Sequence, residues 1–218
     1  ANWMAEYIDE TTGLPKPTYD LWEEVFLTTT YTTATTYAAL LSAADLASEA
    51  NDPDSAVKWR AAADDILDAA HKHLFNEERQ SFYKGLIVED GEIKKNDTID
   101  SSSVFGSFMF GLFPVGSKEL AAAFKTLQET FTDDQNRYGY PRYEWDTYHR
   151  IDERSKGNWW FITSLWVAQY QLENDNHKEA DDILKWITSL QAKTGVMSEQ
   201  INPIDSAHVS PSPLTWSH

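Results

Sequence analysis

The chain has 218 residues, with 18 basic against 35 acidic side chains and a net charge of −17. Such a surface repels nucleic-acid backbones and anionic membranes and is indifferent to a neutral ligand. A 41% hydrophobic fraction with 9 Trp, 10 Tyr and 10 Phe excludes a disordered chain, and the lack of cysteine excludes disulfides, thiolate catalysis and zinc–thiolate sites.

The length suits one sizeable domain, 1–218, or a large part of one. No apolar run approaches the ~20 residues that cross a bilayer. Cytoplasmic and secreted settings are both left open. In chain order the dominant period is helical. Trp3, Met4, Tyr7 and Ile8 resemble the tail of a helix. "TTTYTTATTYAALLSAADLASEA" (28–50) reads as one long helix despite threonines of poor propensity. The next helix opens with Asp52 as N-cap and Pro53 at its first position, and Ala56, Val57, Ala63, Ile66, Leu67, Ala70 and Leu74 form its apolar stripe. A small β-hairpin near 81–95 turns at Asp90-Gly91. Helices are predicted over 101–113, 117–131, 158–174 and 177–193, the last closed by Gly195. The pattern is a run of αα-hairpins, and the unusual residues sit on the long loops. Both ends read as interrupted, since Pro213 and its successors would begin a further helix.

Three loops concentrate the polar chemistry: "GLPKPTYDLWEE" (13–24), "GYPRYEWDTYHR" (139–150) and "GVMSEQINP" (195–203). Two carboxyl groups facing across a cleft suit general acid–base hydrolysis of a glycosidic bond. Glu23 is the better acid, because Asp20 and Glu24 disfavour its charge and Trp22 limits its hydration. Glu199 has no acid within four residues and suits the ionised base. Arg142 lies among aromatics. His71 and His73 are two apart on a helix, point in different directions and do not share an ion; both are expected at a solvated helix end. No metal or cofactor is predicted.

"GLPKPTYDLWEE", "RYEWDTY", "GNWWFITSLWVAQY" and "MSEQINP…PLTWSH", taken in that order, resemble glycoside hydrolase family 15, the glucoamylases, glucodextranases and related trehalases. The resemblance implies an all-α, (α/α)6 toroid, of which roughly seven helices make a partial ring, so that one expected partner is the remainder of its own catalytic domain. It implies inverting release of glucose from non-reducing ends of α-glucosides, with an oligosaccharide or polysaccharide as substrate and no metal. By the same resemblance, Glu23 is the general acid and Glu199 the general base. Arg142 binds hydroxyls of the terminal glucose, Glu24 and Asp146 lie near the leaving-group sugar, and Trp22 and Trp160 line the pocket. The two carboxyls should then stand about 6.5–9.5 Å apart. Trp159 departs from the family's usual proline, and "RYEWD" leaves Glu144 and Trp145 without a role.

Plainer readings stand beside these. Glu23 and Glu24 also suit an acidic helix start, Glu199 an exposed loop, Arg142 a salt bridge to Asp146 or Glu144, and Trp216 the core. A non-catalytic sugar-binding or regulatory domain is the rival from another class. The linkage, α-1,4, α-1,6 or α,α-1,1, is not written in these residues.

Overall fold

A helix that is apolar on every side must be covered on every side, whereas a single apolar stripe leaves the opposite face to water. Both kinds occur in the computed structural model, which describes residues 1–133 and 136–218. The chain divides into two compact units, one of residues 1–98 and 102–123, the other of 99–101 and 124–218.

The first unit opens with a short helix α1 (Asn2–Glu6) and then β1 (Thr18–Tyr19), β2 (Phe26–Thr29), α2 (Thr30–Glu49) and α3 (Pro53–His73). The helix predicted from residue 28 starts two residues later, because Thr28 and Thr29 belong to β2. Thr29 instead caps α2, its side chain accepting from the Thr32 N–H at 2.9 Å. The threonine-rich first turns are tied back to the main chain, Thr33 Oγ1 donating to the Thr29 carbonyl and Thr36 Oγ1 to that of Thr32. In α3, Asp52 is the N-cap, accepting from the Ser55 N–H, and Pro53 is the first helical residue. The two helices pack as an antiparallel hairpin around Leu40, Ala63 and Ile66, with Met4, Ile8, Tyr37 and Trp59 at the margin. Val57 is a correction to the stripe. It lies nine residues before Ile66, about 180° around the helix, and is 71% exposed. His73 is a second correction: it is buried rather than solvated, and burial pulls its pKa down.

Two short strands, β3 (Phe75–Asn76) and β4 (Ser81–Phe82), pair after α3, followed by β5 (Gly85–Glu89) and β6 (Glu92–Asn96). The predicted turn is present, with Asp90 and Gly91 both left-handed (φ 52° and 79°) as a two-residue hairpin turn requires. The sheet runs β1-β2-β5-β6, antiparallel throughout. Gly85 is needed where β5 meets β2, since a Cβ there would stand 2.4 Å from the Thr28 carbonyl oxygen.

Helix α4 (Ser101–Met109) is shorter than predicted, its last turn giving way at Gly111 (φ 71°), and α5 is Lys118–Phe131. In the second unit, β7 (Trp159–Trp160) precedes α6 (Phe161–Glu173), which is joined by a tight turn to α7 (His177–Ser189). Phe161, Thr163, Ser164, Trp166, Val167, Ala168, Tyr170 and Gln171 make α6 buried nearly all round. Ala180, Ile183 and Ile187 give α7 a single stripe. Strands β8 (Gln200–Ile201) and β9 (His208–Val209) complete a three-stranded sheet, β7-β8-β9, which the helical period did not reveal. The chain ends in one turn of 3-10 helix, Thr215–Ser217. Among the described residues no helix is long and apolar enough to cross a membrane.

Candidate active site

In the first unit, Asp20 organises the loop that bears the paired glutamates. Its Oδ1 accepts from the Glu24 N–H (2.8 Å) and the Val25 N–H (3.2 Å), and its main chain pairs with Val25. Its second oxygen faces Lys84 Nζ at 3.1 Å, with both side chains almost wholly buried. Asp20 is therefore neutralised locally and acts as a hinge pin, rather than as the like charge that the sequence suggested beside Glu23. Trp22 is buried, and Glu23 and Glu24 are exposed. Glu23 adopts φ 59°, a conformation that strains a residue with a side chain by roughly 1 kcal/mol or more. The loop around it holds that strain in place.

In the second unit the loop from 136 to 158 is fastened at several points. Asn136 bonds the Phe131 and Gly139 carbonyls and the Gly139 N–H. Ser101 bonds the main chain at Pro141 and Arg142. Glu144 receives the Ile99 N–H at 2.8 Å and returns its own N–H to the Ile99 carbonyl, which gives that residue a structural role. Between these fastenings sits Arg142. Its Nε and an Nη each donate to Asp146 at 2.7 Å, a bidentate pair at 4% and 1% side-chain exposure. The guanidinium lies 4.9 Å from the Trp160 ring, 5.0 Å from Tyr148 and 5.2 Å from Tyr143. Asp146 also accepts the Tyr148 N–H at 2.9 Å. The salt-bridge reading of Arg142 is thus correct for Asp146.

Trp160 is the floor of this cluster. Its main-chain N–H donates to the Tyr140 carbonyl, and in the β7–β8 pair it stands opposite Gln200. Trp216, expected in the core, is 40% exposed and meets Trp160 edge to face at 6.2 Å. Beside Gln200 stands Glu199, half-buried. Its Oε2 accepts from Gln200 Nε2 at 2.9 Å and from the Ser210 hydroxyl in a shorter bond, and its N–H donates to the Pro211 carbonyl. Gln200 Oε1 in turn accepts from Asn158 Nδ2 at 2.9 Å. Arg142, Asp146 and Trp160 are therefore brought together in this unit, Glu199 lies in the same unit next to the strand partner of Trp160, and Trp22, Glu23 and Glu24 share one loop of the other. Sequence reasoning missed Tyr148, Gln200 and Ser210. Tyr148, the last residue of "RYEWDTY", and Gln200, inside "SEQ", lay close enough in sequence to signal their parts; Ser210 did not. No cluster of His, Cys, Asp and Glu suited to a metal occurs among the described residues.

Carboxylates, an arginine fork and flat aromatic faces are together suited to a neutral ligand rich in hydroxyls, the equipment of carbohydrate-active proteins. Residues 4–181 match the family described as glycosyl hydrolases family 15, and the chain belongs to that family. It is 26% identical over 215 residues to an uncharacterized glycosyl hydrolase of Methanocaldococcus jannaschii, covering 93% of this chain and 32% of that protein. It superposes on a bacterial glucoamylase complexed with acarbose at TM-score 0.79 and 20% identity, over 98% of this chain and 35% of that one. The family 15 glucoamylase from Hypocrea jecorina gives TM-score 0.77 and 16% identity, over 99% and 44%. A glycosidase in complex with glucose gives 0.73 and 20%, over 93% and 53%. These likenesses carry the fold: the chain is mostly helical with small sheets added, and corresponds to part of the (α/α)6 architecture of glucoamylases. The chain spans about a third of the curated relative and roughly half or less of the solved chains.

Proposed function

We propose that the protein carrying this chain is an inverting, exo-acting α-glucosidase, and that residues 1–218 are one part of its single catalytic domain. Glu23 is the general acid that protonates the bridging oxygen, and Glu199 the general base that takes a proton from the attacking water. Arg142 grips hydroxyls of the terminal glucose while Trp160 supplies an apolar face to its C–H surface. Trp22, Glu24 and Asp146 shape the surroundings of the two sugars. The observation that carries this reading is the second-unit cluster: an ion-paired, aromatic-flanked arginine whose Trp160 is strand-paired to the residue after Glu199. A rigid fork set on aromatic faces suits a polyhydroxylated ring far better than it suits a solvated surface. Membership of a glycosidase family supports it, as does the likeness in fold to a glycosidase in complex with glucose and to a glucoamylase complexed with acarbose.

The test uses the full-length protein with maltose, isomaltose and trehalose, with the product anomer followed by NMR in the first minutes. Release of β-glucose from at least one is expected. The attacked unit should appear as β-glucose while the leaving unit keeps its own anomeric state (α from trehalose, the reducing-end mixture from the other two). A product with no β-glucose beyond the leaving unit's share would refute inversion, and no glucose from any of the three would refute the hydrolase.

A further inference from the structure

A hydrogen-bonded line of side chains runs from the buried Asn158 to the candidate base. Asn158 Nδ2 donates to the His149 carbonyl (3.1 Å) and to Gln200 Oε1 (2.9 Å), and Gln200 Nε2 donates to Glu199 Oε2 (2.9 Å). Asn158 is 1% and Gln200 0% exposed. The direction of the line is forced. A carboxylate at one end and a main-chain carbonyl at the other accept only, so both amides must present nitrogen towards Glu199 and His149 respectively. The Asn158 Oδ1 atom is left buried with no hydrogen bond among the described residues. Such an atom costs about 1–3 kcal/mol, so the amide is retained for what its nitrogen does. The backbone of Gln200 is fixed as well, in the central strand of β7-β8-β9, with its carbonyl accepting from Ser198 Oγ at 2.6 Å.

We infer that Asn158 is a positioning residue for Glu199, acting through the side-chain amide of Gln200. This rests on the reading of Glu199 as general base. Asn158 fixes which way the Gln200 amide faces. Gln200 then holds one carboxylate oxygen, so that the other is free to aim at water. A misaligned base loses rate without losing substrate, because binding draws on other contacts, and a displacement of about 1 Å costs on the order of 100-fold.

The test is a mutant cycle in the full-length protein with α-glucosyl fluoride as substrate. There the C–F bond breaks as water attacks the anomeric carbon; fluoride leaves unprotonated and the water proton passes to the base. The rate therefore reports the base and not the acid. Asn158→Ala should lower kcat about 10- to 100-fold with KM changed less than threefold and glucose affinity by calorimetry unchanged. In a Glu199→Ala background, itself slower by roughly 10²–10⁴, Asn158→Ala should cost nothing further. Gln200→Met, close in volume but unable to donate, should repeat the pattern and stands in should Asn158→Ala fail to fold. An unchanged kcat, or equal losses in both backgrounds, would overturn the inference alone. Full turnover by Glu199→Ala would instead remove the base assignment beneath it.

Discussion

Neutralising one partner of the Arg142–Asp146 pair is the sharpest perturbation the structure offers. Asp146→Asn keeps the shape and removes the charge. Both side chains are almost wholly buried, and removing one partner of such a pair costs about 3–5 kcal/mol, because a buried cation is left behind. The three rings stay against the guanidinium and offset part of that penalty, about 0.5 kcal/mol each, or about 1–2 kcal/mol together. The Asn amide oxygen can still accept the Tyr148 N–H, so that bond is not charged against the variant. The net expectation is a loss of about 2–3 kcal/mol, or roughly 1–1.5 M in the urea midpoint at a slope near 2 kcal/mol/M. Tryptophan fluorescence of the full-length protein reads it. The double replacement Arg142→Met with Asp146→Leu removes both charges and should recover most of that stability. Its kcat/KM should nevertheless remain at least about 100-fold down, since no fork is left to bind hydroxyls. A single-variant midpoint within about 0.3 M of the parent would refute the burial argument. A double variant with parental kcat/KM would refute the binding role of Arg142.

Three further outcomes follow from particular contacts. Lys84→Met leaves the Asp20 carboxylate buried without its cation, so the Glu24 and Val25 amides should lose protection in hydrogen exchange, with a stability loss of about 2–4 kcal/mol; unchanged protection would show that Asp20 holds the loop unaided. Gly85→Ala forces a Cβ against the Thr28 oxygen and to 2.9 Å from Thr29 Cα; an overpacking cost of about 1–3 kcal/mol should lower the thermal midpoint by roughly 3–10 °C. Asp152 has its pKa drawn down to about 2 by the Arg154 side chain and N–H. A depressed carboxyl stabilises the fold above its unfolded value and loses that contribution as pH falls from near 4 to near 2. An NMR titration should find the midpoint near 2, moving back towards 3.8 in Arg154→Ala and at high salt.

What the sequence disclosed was what local rules write. The Asp52-Pro53 start, the Asp90-Gly91 turn and the α6–α7 hairpin each depend on residues within a few positions of one another. Two of the boundaries that moved did so for tertiary reasons, Thr28 and Thr29 being claimed by β5 and Trp159 and Trp160 by β8, whereas α4 stops early at the left-handed Gly111. Strands of two residues carry no period to detect. At the site, Arg142 with Asp146 was legible because the partners are four apart. Lys84 with Asp20, and Asn158 with Gln200, are separated by 64 and 42 residues. A cation that arrives from that far away reversed the meaning of the acidic cluster at 20–24, which read as mutual repulsion and is in fact anchored. The burial of His73 and the exposure of Val57 and Trp216 belong with these, since which side of a helix is covered depends on neighbours that no short window contains.

Trp160 holds three posts at once: it precedes the first turn of α6, faces Gln200 across the strand pair and underlies Arg142. Any exchange there disturbs the scaffold, the proposed base and the proposed binding surface together, so this position is closed to gradual tuning. Divergence in substrate preference has to be drawn instead from side chains whose removal leaves the framework standing. Trp145, 58% exposed on the loop from 136 to 158, is where such adaptation has room to begin.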